Sequence, residues 1–183
     1  MIMTIAEHSV DLDLLPEKAN ILDLGCRGFD FTKKMRALGH KVWPVDIDHL
    51  AEGQAYYQVA ITDHNGRCGI LHTRDKQATR ITKGDAVPCY TLHTFTTKCG
   101  LKTWDLIKLD VEGSEYEIIK SFAKPPAKQL SIEFHLHTGI YLQDQMKEME
   151  DRLIGMGYNA AKHELTEDHG AGYNYWDSLF ILP

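Results

Sequence analysis

The sequence has no excess of positive charge: 20 lysines and arginines stand against 26 aspartates and glutamates, a net charge of −6. A broad nucleic-acid or anionic-membrane surface needs the opposite balance, so neither partner is expected. Cysteine is scarce, with Cys26, Cys68, Cys89 and Cys99 forming no C-x-x-C pair and no zinc spacing. That argues against a disulfide framework or structural zinc and fits reduced thiols in a cytoplasmic protein. No apolar run is long enough to span a bilayer. The opening "MIMTIAEHSVDLDLL" lacks the basic start and sustained apolar core of a secretory signal. A complete glycine-rich nucleotide loop is also missing. In "ANILDLGCRGFDFTKKM" (19–35) the glycines are Gly25 and Gly28 alone, so neither G-x-G-x-x-G nor D-x-G-x-G-x-G is satisfied.

What is present is an alternation of apolar runs and helical patterns, the signature of repeated βαβ units around a mainly parallel sheet. Strands are expected near 20–24, 41–46, 57–61, 104–110, 129–137, 157–163 and 174–182. Helices are expected at 30–38, 91–99, 114–122 and 143–156. The last helix carries Met146, Met149, Leu153 and Met156 at helical spacing, which reads as core packing. Between Thr62 and Pro88 the chain turns polar and glycine-punctuated, predicting loops and a short hairpin. The two final strands have no helix between them, so they form an antiparallel hairpin. The expectation is one α/β domain over 1–183 with helices on both faces of the sheet.

Three acids stand at the ends of the first three predicted strands. Asp23 precedes the Gly25 turn, Asp46 ends the second strand, and Thr62-Asp63 follows the third. An acid about twenty residues beyond the glycine turn is placed to accept hydrogen bonds from both ribose hydroxyls. Thr62 and Asp63 could meet an adenine edge. A pyrophosphate would repel Asp23, whereas the cationic methionine end of S-adenosylmethionine (SAM) would not. The predicted cofactor contacts are Asp23, Gly25, Cys26, Arg27, Gly28, Asp46, Ile47, Thr62, Asp63 and Asp110.

Strand alternation in "WDLIKLDVEGSEYEII" puts Lys108, Asp110 and Glu112 on one face. In "QLSIEFHLH" it groups Glu133, His135 and His137. Open α/β sheets bind ligands at such carboxyl strand ends. A purely structural Lys108–Glu133 pair with surface histidines is the alternative.

"IKLDVEGSE" followed by "LSIEFH" resembles the FkbM-type methyltransferases, class I SAM enzymes that mostly O-methylate sugars and natural-product hydroxyls. The likeness extends through "ILDLG…FDFT", Asp46, "AITDHNG" and "VPCYTLHTF", over roughly residues 20–137. It implies a Rossmann-like methyltransferase fold, SAM at the first loop, and the D-V-E-G strand end near the methyl group. Two departures stand out. Where the family loop resembles D-V-G-A-N-x-G-x-F-T, this chain has Arg27 for the Asn, Gly28 one place early, and Phe29 at the second glycine. His93 replaces the acid of the family's "TLD".

For a hydroxyl acceptor, a base should take its proton as the new bond forms. His135 is the expected base, oriented by Glu133, with Asp110 positioning the acceptor or the sulfonium. Glu112 or Glu115 could hold sugar hydroxyls. A different use of the same groups is a divalent metal on Asp110, Glu133 and His135. The expected partner is a small-molecule or carbohydrate acceptor. Little chain precedes the first strand, so a lid is minimal or comes from a partner subunit, which leaves a homo-oligomer open. The rival readings are a class I methyltransferase with another acceptor and a catalytically silent SAM-binding or assembly protein. An NAD enzyme is disfavoured by the incomplete glycine turn.

Overall fold

The computed structural model describes residues 1–48, 55–72, 79–136, 143–168 and 173–183. The elements run β1 (Ile2–Ile5), β2 (His8–Asp11), β3 (Asn20–Leu24), α1 (Asp30–Ala37), β4 (Lys41–Asp46), β5 (Tyr57–Gln58) and β6 (Ala60–Thr62). They continue β7 (Gly66–His72), β8 (Thr79–Thr91), α2 (Leu92–Lys98), β9 (Trp104–Leu109) and α3 (Glu115–Lys120). The chain closes with β10 (Ala127–Phe134), α4 (Gln143–Gly155), β11 (Asn159–Asp168) and β12 (Tyr173–Ile181).

A seven-stranded sheet in the order β11-β12-β10-β9-β3-β4-β5 carries the molecule. β5, β4, β3, β9 and β10 pair in parallel, and β12 pairs antiparallel with both β10 and β11. The parallel sheet with an antiparallel end matches the expectation from the sequence. Its centre is apolar on both sides, as strands covered on both faces must be. On one face Leu22, Leu24, Ile107, Leu109, Leu130 and Ile132 join α2, α3 and α4, including the buried Met146, Met149 and Leu153. On the other, Ile21, Val42 and Leu106 meet Phe31 and Met35 of α1 and Ile5 and Val10 of the β1–β2 hairpin. α1 ends where Gly39 takes the left-handed φ of 93°, a conformation that glycine adopts at little cost.

Four features depart from the expected layout. The strand expected at 57–61 is two: β5 edges the main sheet, while β6 turns away to pair with β8. The polar segment after Thr62 forms more than a short hairpin, since β7 and the thirteen-residue β8 pair antiparallel from Gly66–Cys89 to His72–Thr79. And the N-terminal fifteen residues hold a two-stranded hairpin that no turn residue announces. Its tight turn is Ala6-Glu7, both with positive φ (48° and 73°), where Asn-Gly or Asp-Gly is the usual choice. β10 ends at Phe134, short of the expected 137, and His137 lies outside the described residues.

Side chains lock the hairpin to the sheet. Ser9 Oγ donates to Asp177 Oδ2 at 2.5 Å and receives Lys162 Nζ at 2.9 Å. The side chain of Gln129, fully buried, accepts from Asp11 N at 3.0 Å and donates to Asp11 O at 2.9 Å. The hairpin thus does on this face of β10 and β12 what a crossover helix does elsewhere.

The adjoining ends of β3 and β9 are joined through Lys108. Its ammonium, 4 % exposed, lies 2.9 Å from Asp110 Oδ2, 3.3 Å from Asp23 Oδ1 and 2.5 Å from Gly25 O. Glu133 is not its partner in any of these contacts, so the structural Lys108–Glu133 pair is replaced by a Lys108–Asp23–Asp110 group. Burial works against the charged ammonium, but Asp110 and Asp23 outweigh it and raise its pKa. Asp23 Oδ2 also accepts from Thr32 Oγ1 at 2.5 Å, tying α1 to the same group. Replacing Lys108 by Met leaves the wholly buried Asp23 and the partly buried Asp110 without their cation. Lys108→Met should therefore lose about 3–5 kcal/mol in urea denaturation, the usual cost of breaking a buried pair, and a loss under 1 kcal/mol (about the worth of an exposed pair) would contradict this role.

Candidate functional site

The carboxyl ends of β3, β4 and β9 open onto a cavity of about 730 Å³, walled on the far side by the β1–β2 turn and by β8. Its floor is the loop after β3. Gly25 N and Cys26 N both donate to Val45 O (2.9 and 3.2 Å), and Asp110 N donates to Leu24 O at 3.2 Å. A Cβ on Gly25 would stand 1.7 Å from Asp110 O, at a left-handed φ of 81°. Only glycine fits there, which is why the first glycine of the loop is kept. Gly28 is different. Its φ is 75°, but a Cβ there would meet nothing closer than 3.7 Å, so its backbone angle and not close approach calls for glycine.

Phe29 also holds a left-handed φ of 61°. A side chain in that conformation costs about 1–2 kcal/mol. Its ring is 7 % exposed and packs edge-on against Tyr56 at 5.9 Å, so burial offsets the strain. Phe29 is not among the residues lining the cavity. The position that carries glycine in the FkbM-type loop thus keeps a glycine-like backbone, with its side chain turned aside.

Of the predicted cofactor residues, Gly25, Arg27, Asp46, Ile47 and Asp110 line the cavity. Asp46, 9 % exposed, accepts from Asp48 N at 2.9 Å, and Arg27 Nη2 stands 3.4 Å from Asp48 Oδ2. Burial raises the Asp46 pKa. Cys26 is buried under the loop, with its thiol pushed up by burial and by Asp23 and Asp46. Asp23 is wholly buried behind Lys108 and does not line the cavity. Thr62 donates to His64 O and accepts from His64 N, while exposed Asp63 pairs with His64 at 2.7 Å. Neither lines the cavity; at that end the walls are Val59, Ile61, Thr79 and Ile81. Strand pattern could not show this, because it depends on β6 leaving the main sheet.

At the other end lies a dense group of ionisable side chains. His135, 2 % exposed, has Nδ1 at 2.8 Å from Glu115 Oε1, and Glu115 is itself wholly buried and accepts from Val111 N at 3.3 Å. His135 Nε2 faces Glu133 Oε1 at 3.1 Å, Asp110 Oδ1 at 3.5 Å and Glu112 Oε2 at 3.8 Å. Burial opposes the His135 charge, but Glu115, Glu133 and Asp110 raise its pKa well above the ordinary value. Burial pushes Glu112 up to about 7, against the pull of His135 and with that of Asp110, Glu115 and Glu133. Glu133 is likewise raised by burial. Asp110 is held low: burial is outweighed by Lys108, His8 and His135.

The expected trio of His135, Glu133 and Asp110 therefore comes together, but only Asp110 lines the cavity. His135 stands behind it, and its Nδ1 is held by Glu115, where the sequence reading had Glu133 as its orienting partner. Glu112, with φ 56°, and His8 from the hairpin do line the cavity. Two overlapping sets, His8–Asp110–Glu133 and Asp110–Glu112–His135, bring their donor atoms within 4.8 Å of one another, close enough to share a cation. His8 was missed because no local pattern connects residue 8 to residue 110. Among the described residues no helix is long and apolar enough to cross a membrane.

Comparison with known proteins supplies the rest. The family model described as "Methyltransferase FkbM domain" matches residues 15–160. A search of curated proteins finds no significant match. Among solved structures, the Synechocystis magnesium protoporphyrin IX methyltransferase ChlM with bound SAM is 14% identical, with a TM-score of 0.52 over 91% of this chain and 71% of its own. M. capricolum TrmK in complex with S-adenosylhomocysteine (SAH) is 11% identical, TM-score 0.53, over 92% and 64%. The Burkholderia thailandensis 1,6-didemethyltoxoflavin-N1-methyltransferase is 12% identical, TM-score 0.50, over 91% and 72%. At such identities these likenesses establish the fold, and the family match covers most of the chain. The chain belongs to the FkbM methyltransferase domain family and is a SAM-dependent methyltransferase.

Proposed function

We propose that this methyltransferase transfers its methyl group to a hydroxyl of a sugar or other small natural product. The observation that carries this is the polarity of the cavity: Asp46 at one end, and the cavity-facing carboxylates Asp110 and Glu112 at the other. Asp46 would accept from the ribose hydroxyls of SAM, Ile47 and the Val59–Ile61–Ile81 wall would take the adenine, and Gly25 on the cavity floor would border the methionine end. Arg27, paired with Asp48 at the rim, borders the same end. Names of the similar structures include porphyrin and toxoflavin methyltransferases, so the fold itself does not choose the acceptor. The cavity-facing carboxylates support a hydroxyl. A hydroxyl must lose a proton and offers one to an acceptor-only group, and a sugar presents several such hydroxyls.

In the reaction an oxygen lone pair forms the O–CH₃ bond as the S–CH₃ bond breaks. The bonding electrons stay on sulfur and give SAH. Alignment of oxygen, methyl and sulfur supplies much of the acceleration. Asp110, fixed by Lys108, positions the acceptor. The hydroxyl proton passes to Glu112, which faces the cavity without the lysine that neutralises Asp110. His135 and Glu133, one layer behind, hold Asp110 and Glu112 in place; they are positioning residues.

Two measurements test this reading. Calorimetry should show SAM and SAH binding to the native chain, weakened about 10- to 100-fold in Asp46→Ala, as expected for losing charged hydrogen bonds. Absence of binding by the native chain at high micromolar ligand defeats the cofactor assignment. Against a panel of sugars and phenolic or polyketide alcohols, Glu112→Gln should keep SAM affinity while kcat drops by at least about 100-fold. Unchanged turnover removes Glu112 as the proton acceptor, and methylation confined to amines overturns the hydroxyl assignment.

A further inference from the structure

His8 is a buried imidazole whose closest polar contact is long. It is 4 % exposed, its Nε2 faces Asp110 Oδ2 in a 3.6 Å ion-pair contact, longer than a normal hydrogen bond, and its Nδ1 has no partner among the described residues. Nε2 is the ring nitrogen that faces the carboxylates, and its one long contact leaves it placed to take a ligand there. The backbone enforces the position: His8 follows the strained Ala6-Glu7 turn, and the next residue, Ser9, is clamped to Asp177 and Lys162. The hairpin therefore holds the ring over the carboxyl ends of β9 and β10, where Asp110 and Glu133 face it from the same side of the sheet.

We propose that His8, Asp110 and Glu133 bind one divalent cation between the hairpin and the sheet. Their donor atoms lie within 4.8 Å of one another, so small side-chain shifts would bring all three to the roughly 2.1 Å of a shared ion. The set supplies one imidazole and two carboxylates, a donor mixture suited to a cation of the manganese class. It differs from the Asp110–Glu133–His135 set suggested by strand alternation, because the imidazole comes from residue 8. His135 takes the supporting role. Its Nε2 at 3.1 Å fixes Glu133 Oε1, as Lys108 at 2.9 Å fixes Asp110 Oδ2, the outer-shell support that holds metal-binding carboxylates in position. The local charge favours a cation: Asp23, Asp110, Glu112, Glu115 and Glu133 cluster around Lys108 and the two imidazoles.

Two of the three ligands, His8 and Asp110, line the cavity, so the cation's open positions face the acceptor. There it would bind the acceptor oxygen and lower the pKa of its hydroxyl. That use rests on the hydroxyl-methylation reading, whereas the binding site itself does not.

The test is Mn²⁺ binding by the full chain, followed by loss of the free-ion electron paramagnetic resonance signal and by thermal melting. The native protein should bind one Mn²⁺ per chain and melt at a higher temperature with the ion present. His8→Ala and Glu133→Gln should each weaken binding by at least about tenfold and abolish the melting shift. Both variants should melt close to the native metal-free protein. If either unfolds instead, His8→Gln and Glu133→Ala are measured by the same signal. No Mn²⁺ binding at millimolar concentration, or native-like binding in the His8 variants, overturns the proposal. SAM binding, measured separately by calorimetry, tells this failure apart from failure of the methyltransferase site.

Discussion

The site depends first on one buried ammonium. Lys108 reaches Asp23, Asp110 and Gly25 O together, so it joins β3, β9 and the loop that must lie beneath a cofactor. Without it Asp110 would confront the wholly buried Asp23, and one of the two would protonate or the strand ends would separate. With it, Asp23 is neutralised and anchors α1 through Thr32, and Asp110 is left ionised with one edge toward the cavity. An acid in front of a glycine turn looks in sequence like a ligand for a positive group. It is one, but the positive group in contact with it is the protein's own lysine.

The same geometry explains the altered glycine loop. The backbone needs room in one place, at Gly25 against Asp110 O, and left-handed angles in two further places, at 28 and 29. Gly28 meets one of these without strain. Phe29 meets the other by burying its ring against Tyr56, trading conformational ease for apolar contact of similar size. A glycine count therefore misjudges this loop: the path of the chain is retained although the residue pattern is not.

Which parts could be read from the sequence follows from the range of the interactions. The strands β3, β4 and β9, the four helices and the antiparallel end announce themselves through short-range periodicity, and Asp46 through its place at a strand end. Asp110 and Glu133 were legible through alternation along single strands. Thr62 and Asp63 were not placed correctly against the cavity because β6 leaves the main sheet, an event decided by its pairing with β8. Glu115 was singled out for sugar hydroxyls, but its pairing with His135, twenty residues away, was not legible. The hairpin was hidden because Ala6 and Glu7 occupy angles that neither residue prefers, so local propensity argued against the turn that tertiary contacts impose.

That strained turn is the most informative departure. Left-handed angles at two successive non-glycine residues persist only when surrounding contacts over-determine them, and such strain concentrates where a side chain must be aimed. Here the contacts are identifiable: Ser9 to Asp177 and Lys162, and Asp11 to Gln129. All of them lie on the β2 side of the turn, and none satisfies His8 itself. A relaxed Asn-Gly turn would satisfy the hairpin more cheaply if its task were only to cover Ile21 and Leu106. The cost is consistent with a hairpin built to deliver residue 8, and the groups facing that residue across the gap are the two carboxylates at the ends of the neighbouring strands.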